Sequence, residues 1–155
     1  MINFQPLNDE IIKDLLARED FEEADECIRL AEGSVGLALD YARADAGDML
    51  KDIVELCEGC SPWSKNLSFA ERIAKGGQGA DYRIFEMLCV WIYRQAAVAK
   101  ARGHTIAMMT ERLNPLPLER LIEKADQLTQ HFTTIQRANL DKRQGVLQAL
   151  AMMGG

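Results

Sequence analysis

Almost every segment of this chain repeats its apolar residues at helical spacing, and no segment alternates apolar with polar residues as a half-buried strand requires. That pattern has one broad solution, an all-α fold in which amphipathic helices each bury a face. Two long stripes set its centre. Ile84, Phe85, Leu88, Trp91, Ile92 and Ala99 recur at three- and four-residue intervals and end near Gly103. Leu118, Leu121, Ile122, Ala125, Leu128, Phe132 and Ile135 do the same behind Pro117, whose missing amide hydrogen costs nothing in a first helical turn.

Shorter stripes fill the remainder. Ile11, Ile12, Leu15 and Leu16 form one, with Asn8 placed to cap it, and Cys27, Ile28 and Ala31 close a second. Ser34 caps a third that runs through Leu37, Ala38 and Tyr41. Met49, Leu50, Ile53, Val54 and Cys57 make a fourth, stopped by Glu58-Gly59-Cys60-Ser61-Pro62. Ser68 and Glu71 have capping-box spacing and predict a helix start there. Gly76-Gly77-Gln78-Gly79 is a flexible break, and the last helix follows Asn139 or Asp141. The expectation is about eight helices in two units: a small three-helix piece over residues 1–44 and a helical bundle over residues 45–155.

A chain of 155 residues suits one compact domain or two small ones, and 48% hydrophobic residues exclude the low-hydropathy, high-charge composition of disorder. The net charge of -6 and a pI of about 5.0 argue against an autonomous duplex-DNA binder, while leaving room for DNA contact inside a larger complex. No apolar run reaches the ~18–20 residues of a membrane span, and the first six residues lack the features of a signal peptide. The protein reads as cytosolic, with Cys27, Cys57, Cys60 and Cys89 reduced.

Candidate chemistry is sparse. Cys57-Glu58-Gly59-Cys60 supplies two of the four ligands that a structural zinc needs; no second pair follows, and His104 and His131 stand far apart. Cys57 also falls on an apolar stripe, so a core role is expected and no metal or cofactor. The glycine-rich break lacks the Lys-Ser/Thr of a phosphate loop and follows no strand. Glu22, Glu23, Asp25 and Glu26 read as a solvated face, and no Ser/His/Asp set can be assembled, so no catalytic residue is expected. Met108, Met109, Met152 and Met153 either mark a contact surface or fill the core. Trp91 sits mid-stripe, the position of a core residue; Trp63, behind Pro62 in a loop, reads as a partner anchor or a lid. These tryptophans and methionines are the interface candidates. Lys65, Arg72, Lys75 and Arg83 form one possible basic patch and Arg94, Lys100 and Arg102 another; Arg72, Lys75, Arg94 and Lys100 are the candidates for phosphate contact.

Three segments together carry a resemblance. Phe4-Gln5-Pro6-Leu7-Asn8-Asp9-Glu10, Leu30-Ala31-Glu32-Gly33-Ser34-Val35-Gly36-Leu37-Ala38-Leu39 and Asn139-Leu140-Asp141-Lys142-Arg143-Gln144 continuing to Leu150 resemble, in this order, the C-terminal part of delta-prime subunits of the bacterial DNA polymerase III clamp loader, a member of the AAA+ family. The likeness implies a three-helix lid over residues 1–44 followed by a collar domain over residues 45–155. Collar domains pack side by side into a ring, so it also implies partners: the ATPase and delta subunits, and primer-template DNA within the complex. ATP-hydrolysing relatives carry an arginine at the place of Gly36, where it contacts nucleotide phosphate. Glycine there agrees with a subunit that is not an ATPase, and carries no nucleotide site onto this chain. The family's Walker lysine, trans-acting arginine and zinc site belong to a preceding domain, so the chain reads as a fragment of a longer protein. A collar without its ring exposes a patch that favours a homodimer. Outside this resemblance, the open alternative is a helical nucleic-acid-binding or protein-interaction adaptor.

Overall fold

The computed structural model describes residues 10, 41, 45–59, 61–75, 79–105 and 110–154. Among these residues the structure is helical, with no strand. The helices are α1 (Ala46–Glu58), α2 (Trp63–Lys75), α3 (Ala80–Ala101), the single turn α4 (Thr110–Leu113), α5 (Leu118–Arg137) and α6 (Lys142–Gly154). The chain divides into two compact units, Met1–Leu50 and Lys51–Gly155, and the division falls within α1. In the first unit Tyr41, Ala46, Met49 and Leu50 are buried. The predicted caps at Asn8 and Ser34, the residues 30–39 segment, Gly36 and Cys27 lie outside the described residues, as do Cys60, Met108 and Met109.

The second unit is built on the antiparallel pairing of α3 and α5, its most extensive helix–helix contact, with α2 and α6 packed together beside it. Ridge-into-groove packing needs apolar positions every third and fourth residue, and the two stripes supply them. Ile84, Phe85, Leu88 and Ile92 of α3 are buried, and so are Leu121, Ala125, Leu128, Phe132 and Ile135 of α5. An aromatic cluster closes the middle of the core. Phe85 meets Phe132 edge to face with centroids 5.9 Å apart and Phe69 at 5.8 Å; Tyr82 meets Phe132 at 6.2 Å. Such pairs contribute about 0.5–1.5 kcal/mol beyond their buried area.

Helix ends follow local chemistry. α1 stops at Gly59, whose amide bonds the Glu55 carbonyl at 2.9 Å; a Cβ there would lie 2.9 Å from that same oxygen, so glycine is required. α3 starts at Gly79 and stops before Gly103, both at positive φ (88° and 73°), a conformation that glycine adopts without strain. The Pro117 carbonyl accepts from Arg120 and Leu121 and opens α5. Asn139, at φ 48°, turns the chain out of α5, and Asp141 Oδ1 accepts the Arg143 amide at 3.0 Å as the N-cap of α6.

Three expectations need correcting. The helix assigned to Ser68 begins five residues earlier, at Trp63, because the Pro62 carbonyl already accepts the Lys65 amide; Ser68 and Glu71 are mid-helix and form no capping box. Ile122, placed on the core stripe, is 49% exposed: Leu121 and Ala125 carry the buried face and Ile122 points one position past it. Trp91 is half-buried rather than central, since Leu88, Cys89, Ile92 and Tyr93 take the core side of that turn of α3.

Candidate functional site

Several polar side chains of the Lys51–Gly155 unit hold the bundle together. The last carbonyls of α6 lack intrahelical partners, as at any helix C-terminus. Here three side chains from other elements serve them: Lys124 donates to Met152 at 3.0 Å, Tyr93 to Met153 at 3.5 Å, and Arg112 to Gly154. The two cations also complement the negative end of the helix. His131 donates through Nε2 to the Gly145 carbonyl at 2.9 Å and tilts against Phe132, a structural assignment that fixes its tautomer. His104 stands 27 residues before it, exposed beside a cleft of about 220 Å³ at the C-terminal end of α3. Among the described residues no three His, Cys, Asp or Glu side chains are grouped as metal ligands.

Cys57 and Cys89 are free and buried. Burial pushes the Cys57 thiol up to about 12, with Arg112 pulling weakly the other way, and it holds the Cys89 thiol well above its ordinary value. Neither is a thiolate nucleophile at neutral pH. Tyr82 and Tyr93 are pushed up to about 12 for the same reason.

A cleft of about 390 Å³ lies between α1 and α2. Leu56 and Phe69 form its apolar part, and its charged walls pair with each other: Lys65 with Glu55 at 3.0 Å, Arg72 with Asp52 at 2.5 Å. Arg72 also lies over the Phe69 ring. Arg72 is thereby committed within the chain, and Lys100 likewise, because its ammonium donates to the Asn114 carbonyl at 2.7 Å. Lys75 and Arg94 are exposed. Trp63 is 64% exposed at the first turn of α2, whereas Met153 is buried in the chain's own core and Met152 half-buried.

The antiparallel topology collects charge that sequence order keeps apart. The C-termini of α2 and α5 and the N-termini of α3 and α6 meet at one end of the bundle. Arg143 of α6 reaches Glu71 of α2 at 3.5 Å, Glu86 of α3 accepts from Gln136 of α5 at 3.1 Å, and Lys142 of α6 lies 5.5 Å from the Tyr82 ring centroid. Lys75, Arg83, Arg137, Lys142 and Arg143 are all exposed there. Three of the carboxylates nearby are engaged, Glu71 with Arg143, Asp141 as a cap and Glu86 with Gln136, and Asp81 stands in the first turn of α3. Glu86 is raised by burial, against the hydrogen bond from Gln136 and the charges of Lys142 and Arg83. Lys75 and Arg83 were legible as a patch; Arg137, Lys142 and Arg143 joined it only through the helix pairing. No protein-family model, curated protein or solved structure matches the chain.

Proposed function

We propose that the chain is a non-catalytic part of a delta-prime subunit of a bacterial DNA polymerase III clamp loader, acting in the cytoplasm, with residues 1–44 as a lid-like unit and residues 45–155 as a collar that holds the subunit among its neighbours. The observation that carries the reading is the pair of segments 30–39 and 139–150, in the family's order and about a hundred residues apart. The all-helical character of the described residues supports it. So does the use of the second segment: Asp141 caps α6, and Val146, Leu147, Ala149 and Leu150 behind it are buried in the bundle. An assembly module needs rigid helices with surface left for partners, and exposed Trp63, Val98 and Ile122 provide apolar points of that kind.

The test is capture of the folded chain by the ATPase and delta subunits of the clamp loader from its own organism. Specific binding, abolished by substitutions at Trp63 or Ile122 that leave the helical circular dichroism intact, is the expected result. A folded chain that binds none of these subunits at micromolar concentration overturns the assignment.

A further inference from the structure

We propose that the end of the bundle bearing Lys75, Arg83, Arg137, Lys142 and Arg143 is a docking surface for the phosphodiester backbone of a nucleic acid. The inference stands apart from the assembly reading, because it rests on charge placement alone. The chain as a whole carries -6, yet at this end Lys75, Arg83 and Arg137 stand exposed beside Lys142, which lies over Tyr82, and Arg143, which pairs with Glu71. Of the carboxylates there, Glu71, Asp141 and Glu86 are held by a salt bridge, a helix cap and a side-chain hydrogen bond, and Asp81 lies in the first turn of α3. Among the described residues, no carboxylate lies within salt-bridge distance of Lys75, Arg83 or Arg137. Packed helices are about 8–10 Å apart, so their ends present these cations singly and on rigid supports.

A nucleic acid suits this surface better than an acidic protein segment. Protein interfaces draw their affinity from buried apolar anchors, and among the described residues the only large exposed apolar side chain at this end is Leu140. Backbone binding needs no such anchor, because neutralised phosphates release condensed counterions. Arginine also forms paired hydrogen bonds with phosphate oxygens. The surface offers no device for reading bases, so binding is indifferent to sequence.

The experiment is fluorescence anisotropy of labelled 25-base-pair duplexes of two unrelated sequences, titrated with the full chain from 50 to 200 mM salt. With three phosphates neutralised, the slope of log K against log salt is about -2.7, and affinity falls about 40-fold across that range. Lys75→Ala, Arg83→Ala and Arg137→Ala together remove most of the binding and flatten the slope. These three leave Lys142 in place over Tyr82 and Gly79, and unchanged circular dichroism establishes that the variant is folded. Arg94→Ala serves as the control, since it lies eleven residues, or about 17 Å, along α3 from Arg83. No binding at 50 mM salt, equal loss with the control, or competition by polyglutamate as effective as by unlabelled DNA would each overturn the proposal, the last in favour of an acidic protein partner.

Discussion

Gly145 and Tyr82 form a pair whose energetics can be worked out from their contact. Gly145 lies inside α6, where glycine is about 1 kcal/mol less favourable than alanine, and it is buried. A Cβ there would sit 2.9 Å from the Tyr82 hydroxyl oxygen and 3.3 Å from Cγ1 of Ile135. Movement of the Tyr82 ring is limited by Phe132, which packs edge-on against it, and by its own burial. That hydroxyl is itself buried with no hydrogen-bond partner, a situation that costs about 1–3 kcal/mol. Gly145→Ala therefore trades a gain of about 1 kcal/mol in propensity against overpacking of about 1–3 kcal/mol, a net loss of about 1 kcal/mol. Tyr82→Phe removes the orphaned oxygen and is expected to stabilise by about 1 kcal/mol.

The double variant is decisive. With the oxygen gone, the alanine methyl meets only the Ile135 side chain, at a distance that a small adjustment relieves. The propensity gain then appears, and the two substitutions couple by about 1–2 kcal/mol in the favourable direction. Urea unfolding followed by tryptophan fluorescence reads this directly, because both tryptophans of the chain lie in the Lys51–Gly155 unit. A coupling below about 0.5 kcal/mol, the ordinary limit of additivity, would refute the contact as the reason for the glycine. A destabilising Tyr82→Phe would show that the hydroxyl has a partner.

Alkali should unfold the protein early. Cys57, Tyr82 and Tyr93 are raised to about 12 in the folded chain, so their contribution is complete below pH 9 and is lost as pH climbs from 9 for the thiol and 10 for the tyrosines towards 12; each group removes up to about 1.4 kcal/mol per pH unit in its window, measurable as a fall in urea midpoint. In a Cys27→Ser, Cys60→Ser background, Cys57 and Cys89 should react with a thiol reagent at pH 8 no faster than the protein opens, and immediate labelling would contradict their burial. Lys124→Met should lower stability by about 1 kcal/mol, since it leaves the Met152 carbonyl without its donor at the end of α6; no change in thermal midpoint would count against the capping role.

The sequence foretold much of the bundle because its information is local. The stripe through Leu121, Ala125, Leu128, Phe132 and Ile135 is enough to orient α5, since its opposite face is polar. Asp141 and Pro117 act within one turn of themselves, so their roles at helix starts are readable from neighbours. The capping box at Ser68 failed for a reason of competition: Pro62 begins the helix earlier, and a spacing rule cannot tell a cap from the same residues inside a helix. The basic end was half legible. Lys75 and Arg83 are eight residues apart, but Arg137 and Arg143 reach the same place only because α3 and α5 run antiparallel.

Trp91 shows where periodicity loses its power. On α3 the buried side takes Phe85, Leu88, Cys89 and Ile92, while Met87, Val90 and Trp91 are half-buried and Val98 is exposed. A helix that is apolar on more than one side gives no unique stripe, and the spacing of Trp91 from Leu88 fits either side. Only packing decides, and it gives the core to the side that meets the aromatic rings of α2 and α5. Trp91 is left at the margin with its indole nitrogen buried and unpartnered. A central helix with apolar surface in excess of what its own core consumes is the feature that a module built to pack against neighbours would keep, and in such a helix the residues hardest to place from sequence are those nearest its second face.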